Sequence, residues 1–122
     1  MDAPPPPDSF PALKLRLYLG PGQWLGPGKA ELLSAIAQTG SIAAAGRSMG
    51  MSYKRAWSLV EGLNAMFRAP LVESARGGPQ GGGAGLTPTG AEVLARYRNL
   101  VAAAEVAGAA DSETLADLFA GK

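Results

Sequence analysis

The chain reads as mainly α with a small β-hairpin. Three observations carry that reading. Gly40 to Phe67 is two helices joined by a tight glycine turn. A glycine-rich stretch flanked by short apolar runs follows it, at residues 71–87. A helical stretch of about twenty residues then begins at Thr87-Pro88. Together these make a winged helix-turn-helix with a long C-terminal dimerisation helix. Three parts are expected: a disordered proline-rich tail over 1–11, a DNA-binding domain over 12–88, and the dimerisation helix with a short terminal helix over 89–122.

The tail holds Pro4 to Pro7, which favour extended polyproline II and exclude a helix interior. A PxxP docking site is the minor alternative there. From Ala12 to Leu19, leucines 13, 15, 17 and 19 alternate with Lys14, Arg16 and Tyr18, the period of a half-buried strand. Its polar face is basic, with a solvated surface as the default reading. Gly20-Pro21-Gly22 ends the strand, and Trp24 and Leu25 are expected to pack on the domain.

Pro27-Gly28 opens the first helix, whose body is Lys29 to Thr39 and whose apolar stripe is Leu32, Leu33, Ile36 and Ala37. Gly40 stops it in the left-handed cap conformation. Ser41 caps a second helix, Ile42 to Met49. Gly50 turns the chain, and Ser52 caps a third, Tyr53 to Phe67. On that helix Ala56, Leu59, Val60, Leu63 and Phe67 share one buried stripe, while Lys54 and Ser58 face away. A short helix, a glycine turn and a longer helix with a basic first turn is the pattern of a DNA-reading pair. An ordinary αα-hairpin with a solvated outer face is the alternative.

Ala69-Pro70 breaks the third helix. Leu71 to Ser74 reads as a strand, Arg76 to Gly85 as a glycine-rich tip, and Leu86-Thr87 as the return strand. Glycines let such a backbone approach a phosphate or enter a groove. A nucleotide-binding loop does not fit, because no Gly-Lys-Ser/Thr follows and the order is strand–loop–strand. A flexible linker is the remaining alternative. In the long helix that follows, Leu94, Tyr97, Val101 and Ala104 form a short heptad seam, read as the dimer interface. Gly108 ends it, and Asp111 is expected to cap a last helix edged by Leu115, Leu118 and Phe119.

Composition narrows the function. With no Cys and no His, the chain lacks a disulfide framework, a thiolate metal site and the commonest general base, so no enzyme is expected. The net charge of +1 hides an asymmetry. Residues 41–90 carry Arg47, Lys54, Arg55, Arg68 and Arg76 against Glu61 and Glu73, whereas residues 91–122 are net acidic. Positive charge sits on the expected reading unit, as a phosphate-facing surface requires. No run of about twenty apolar residues exists to span a membrane, and the N-terminus is no signal peptide. A cytoplasmic protein is expected.

The residues GSIAAAGRSMGMSYKRAW, followed by LVES, a glycine-rich wing, GLTPTG and ARYR, resemble the N-terminal DNA-binding domain of the ModE family of bacterial molybdate-responsive regulators. That domain is itself similar to the winged helix-turn-helix of LysR-type regulators. The resemblance covers about Leu13 to Val106. It implies a homodimeric reader of double-stranded DNA at an inverted repeat. Ser52, Tyr53 and Lys54 would enter the major groove, and Gly81, Gly82 and Gly83 would form the wing tip. Full-length family members carry C-terminal oxyanion-binding domains, which do not fit in the residues left here. Molybdate is therefore not expected as a ligand of this chain, no other cofactor is expected, and a separate effector-sensing subunit is one way to supply a signal.

The residues themselves suggest the contacts. Lys54 can bond guanine O6 and N7, Tyr53 a thymine methyl or a phosphate, and Ser58 a base edge or phosphate. Arg47, Arg55 and Arg76 suit phosphates, and Ser41 with the amides behind it suits another. For Ser41 and Ser52, capping alone is the plain reading. Trp57 borders the apolar stripe and is read as core packing. The rival function is a protein-interaction module that modulates another regulator without reading DNA.

Overall fold

In the computed structural model, residues 9–75 and 83–121 are described. Strands β1 (Leu17–Gly20) and β2 (Gln23–Leu25) form an antiparallel hairpin. Helices α1 (Pro27–Thr39), α2 (Ile42–Ser48) and α3 (Tyr53–Met66) follow. The wing is β3 (Val72–Ala75) paired antiparallel with β4 (Gly83–Leu86), and α4 (Pro88–Ala107) and α5 (Ala109–Leu118) end the chain.

The helix ends follow the predicted chemistry. Gly40 adopts φ 72°, and its N–H donates to the Ile36 carbonyl at 2.8 Å. The hydroxyls of Ser41, Ser52 and Thr87 each accept a backbone N–H three residues on, from Ala44, Arg55 and Gly90. Gly50 turns the chain at φ 73°, and the Met51 N–H returns to the Gly46 carbonyl. Gly46 also lets α2 lie on α3, since a Cβ there would stand 3.0 Å from that of Ala56.

The core is built from the helices. Leu32, Leu33 and Ile36 of α1 meet Ala56, Val60 and Leu63 of α3, with Leu71, Leu94 and Tyr97 closing the far side. Each of those nine is buried. Ala37 is exposed, contrary to its place in the predicted stripe, and Ala30, two turns earlier on the same face, is buried.

The N-terminal strand is shorter than the alternation predicts. Residues 12–16 form no strand, and Leu17 and Leu19 remain 41% and 54% exposed. A two-stranded hairpin at the edge has no layer above it. Its leucines border an open apolar groove beside α4, shared with Phe67, Val93 and Leu100. The return strand of the wing starts earlier than expected, inside the glycine run. Gly83 pairs with Ala75 in the ladder and is not a tip residue. The last helix starts directly at Gly108, so Asp111 lies in its first turn and does not cap it. No residue of α5 is buried.

Three contacts fix the wing to the helices. The Ala84 N–H donates to the Gly40 carbonyl at 2.9 Å. The Asn64 side chain bonds the backbone of Leu71 and Val72. Thr87 donates through its hydroxyl to the Pro70 carbonyl and through its N–H to the Leu71 carbonyl. No described helix is long and apolar enough to cross a membrane.

Candidate nucleic-acid interface

The first turn of α3 stands free of the core. Ser52 holds its start, and Tyr53, Lys54 and Arg55 are exposed before Ala56 turns inward. Tyr53 is 57% exposed and stacks on Trp57 one turn later, ring centroids 6.4 Å apart and planes 8° from parallel. Trp57 is 43% exposed, so its assignment to the core is corrected. The wheel puts it at the border of the stripe, and the neighbours decide its side. Ala56 and Val60 of the same helix are buried in the core, and Tyr53 supplies Trp57 with a stacking partner outside it.

Beside this aromatic pair runs an open groove of about 520 Å³. Its walls are the start of α2 at Ser41 and Ile42, the α3 face of Tyr53, Trp57 and Asn64, and the wing root at Glu73, Ser74 and Ala84. The fold therefore brings the helix-turn-helix and the wing onto one concave surface. Ser58 is exposed on α3. Ser41 is half-buried, its hydroxyl engaged in capping. Arg47 is exposed in the last turn of α2, at the opposite end from Ser41, where a cation suits the helix carbonyls. Arg76, Gly81 and Gly82 lie outside the described residues, as do residues 1–8 of the expected tail.

The expected dimer seam is turned inward at its start. Leu94 and Tyr97 are 7% and 6% exposed within the chain's own core. The Tyr97 hydroxyl donates to the Leu15 carbonyl at 2.7 Å, and burial raises its pKa. Neither side chain is open to a second copy. Val101 and Ala104 are half-buried. The reason is that α4 packs its first half on the core formed by the preceding helices. The exposed apolar residues of this region are Leu100, Val106, Leu115, Leu118 and Phe119.

Sequence reasoning also missed a cluster around Trp24. The Arg16 guanidinium carbon lies 3.7 Å and the Lys29 ammonium 3.9 Å from the centroid of its ring. Lys29 donates to the Trp24 carbonyl at 2.9 Å. Burial, then the charges of Arg16 and Arg55, hold its pKa below the ordinary lysine value. The basic alternation before Trp24 was the available signal. Among the described residues no three His, Cys, Asp or Glu side chains converge as a metal site would need.

Comparison with known proteins agrees with this geometry. Residues 28–91 match the model of bacterial regulatory helix-turn-helix proteins of the lysR family. The chain is 49% identical over 76 residues to the molybdenum-pterin-binding protein MopB of Rhodobacter capsulatus, covering 62% of this chain and 28% of that protein. It is 49% identical over 69 residues to the molybdenum transport protein ModE of Herbaspirillum seropedicae, covering 57% and 26%. To the DNA-binding transcriptional dual regulator ModE of Escherichia coli K12 it is 41% identical over 71 residues, covering 58% and 27%. The chain thus spans little more than a quarter of the length of these relatives. Among solved structures it is similar in fold to the CbnR DNA-binding domain in its complex with DNA. The TM-score is 0.55 at 23% identity, over 75% of this chain and 95% of that one.

Proposed function

The chain belongs to the lysR family of bacterial regulatory helix-turn-helix proteins, a family of transcription regulators rather than enzymes, and from that premise we propose that it reads specific DNA sequences as a homodimer, in the cytoplasm, at an inverted repeat. In this reading α3 enters the major groove and the wing lies on the backbone or in the minor groove. The observation that carries it is the exposed first turn of α3, Tyr53-Lys54-Arg55, backed by Trp57 and facing the same groove as the wing root.

The roles follow from side-chain chemistry. Lys54 donates to guanine O6 and N7. The Tyr53–Trp57 pair offers an apolar face to a thymine methyl, and Ser58 offers a hydroxyl to the next base edge or phosphate. Arg47, Arg55, Arg76 and the amides behind Ser41 neutralise phosphates, with Gly81 and Gly82 letting the wing backbone come close. A second copy doubles the modest positive charge and supplies the second half-site. Leu100, Val106 and the α5 edge are the apolar surface it would cover, since Leu94 and Tyr97 are already spent on the core.

One observation favours a second reading. Leu115, Leu118 and Phe119 line a helix with no buried residue, a face suited to another regulator. Selection of fragmented genomic DNA on the purified protein, with and without molybdate, separates the two. An enriched inverted repeat supports the reader. Folded protein that enriches nothing in either condition supports the interaction module.

A further inference from the structure

The geometry points to an exchange of arms between two copies of the chain: α5 of one copy lies in the apolar groove between the β1–β2 hairpin and α4 of the other, and the reverse. This rests on the homodimer reading and names the surface that the two copies share.

The groove is concave and apolar, with a volume of about 380 Å³. Leu17 and Leu19 of β1, Val93 and Leu100 of α4, and Phe67 at the end of α3 line it. The arm is a convex apolar edge: Leu115, Leu118 and Phe119 are 68%, 75% and 76% exposed. Gly108 joins α4 to α5 without turning the chain back. Its N–H donates to the Ala104 carbonyl and its carbonyl accepts the Ser112 N–H, each at 2.9 Å, the four-residue step of an α-helix. An α5 folded along α4 would bury its apolar edge, and no residue of α5 is buried. Val93 and Leu115 are twenty-two positions apart, about 33 Å of helix. The edge therefore stays outside the groove of its own chain.

A second copy brings edge and groove together. Antiparallel helices related by a two-fold axis cross that axis midway between residues that meet. For Val93 and Leu115 the midpoint is Ala104, eleven positions from each. Ala103 and Ala107 are exposed and Ala104 is half-buried, so small side chains let the two helices come close there. Two arms fill two grooves, and no apolar end is left open to a third copy. Charge favours the same pairing. Residues 109–118 carry Asp111, Glu113 and Asp117 and no basic side chain. The groove is edged by Arg96 and by Arg68, the exposed neighbour of Phe67, against one carboxylate, Glu92, which Arg96 already holds at 3.4 Å. An acidic, leucine-edged helix thus meets an apolar groove with a net positive rim.

The chain has no Cys, so introduced thiols report without background. Leu19 and Leu118 are exposed, and Leu19→Cys and Leu118→Cys therefore keep the fold. Co-expressed as separately tagged chains, the two variants should be joined by a short bis-maleimide into a mixed covalent dimer. Leu118→Cys alone should not join to itself, because fourteen positions on each side of Ala104 set its two copies about 42 Å apart. Leu115→Glu with Leu118→Glu should raise the dimer dissociation constant about a hundredfold or more in sedimentation equilibrium, with the circular dichroism spectrum unchanged. Wild-type dimers whose cysteine variants give no mixed product would overturn the exchange and leave the homodimer standing. So would a chain carrying both cysteines that closes on itself as a monomer, and so would a dimer indifferent to the two glutamates. Wild-type protein that stays monomeric at every concentration would overturn the homodimer as well and leave α5 to another regulator.

Discussion

Asn64 holds the backbone of Val72 from both sides: its carboxamide oxygen accepts the Val72 N–H at 3.0 Å, and its amide donates to the Val72 carbonyl at 3.1 Å. The same oxygen accepts the Leu71 N–H at 2.8 Å. One side chain of α3 thus sets the root of the wing, and the angle between helix and wing is fixed where the chain enters the hairpin.

Asn64→Ala leaves those three backbone groups without their partner, at a cost of at least about 2 kcal/mol. Urea unfolding should show that loss, and the amide protons of Leu71 and Val72 should lose protection from exchange. Asn64→Asp keeps the acceptor and should cost less. Equal stability of the alanine variant and the native protein would mean that water replaces the clamp.

Gly90 permits the first turn of α4 to lie on the Leu71 carbonyl, which a Cβ would strike. Gly90→Ala should therefore cost about 3 kcal/mol, much as overpacking a core does. The thermal midpoint is the check. A midpoint within a degree or two of native would show that α4 slides freely on the wing root.

Trp57 stands outside the core, stacked on Tyr53. Trp57→Ala should destabilise by less than the about 3–5 kcal/mol of a buried aromatic truncation. It should weaken binding to the selected DNA by more than it weakens the fold. A large stability loss with unchanged affinity would return Trp57 to a structural role.

Lys54→Ala should weaken specific binding by about 1–3 kcal/mol for each copy and relax the preference at one base pair of the half-site. Titrations with the selected duplex and its single-base variants measure both. An affinity and base preference like those of the native protein would remove Lys54 from the reading surface.

Tyr97 makes stability fall at high pH. Burial raises its pKa above the ordinary 10.0, so the folded chain keeps a proton that the unfolded chain has released. Its contribution is complete below pH 10 and is lost as pH rises beyond that. Lys29 acts with the opposite sign. Its folded pKa lies below the ordinary 10.5, so its cost is greatest at neutral pH and fades as pH rises toward 10.5. Tyr97→Phe should lose about 1 kcal/mol at pH 7 with the Leu15 hydrogen bond. It should then decline less than native protein above pH 10, a difference that denaturant curves at pH 7, 10 and 11 would show or exclude.

The sequence by itself determined the order of the five helices and where the first four begin. Caps are local: Ser41, Ser52 and Thr87 act on amides three residues away, and Gly40 and Gly50 need only their own backbone freedom. The buried stripe of α3 was legible for the same reason, because Ala56, Val60 and Leu63 repeat at the helix's own period. The basic first turn of α3 could be read because charge has no place in that stripe.

What tertiary structure decided is which of several apolar faces found a neighbour. Leu94 and Tyr97 have the spacing of a seam between two chains, yet they close the core of one, because α4 docks where Gly90 meets Leu71. Trp57 lies at the edge of its stripe, where a small rotation of the helix chooses between core and solvent, whereas Ala37 shares the face of the buried Ala30 and is exposed near the end of α1. The alternating leucines predicted a half-buried strand, and the two-stranded hairpin has no layer to cover them. Arg16, Trp24 and Lys29 are spread over fourteen residues of sequence, and only the hairpin turn and the start of α1 bring them onto one ring. Periodicity records a side chain's direction relative to its own element. The partner it meets depends on how the elements pack.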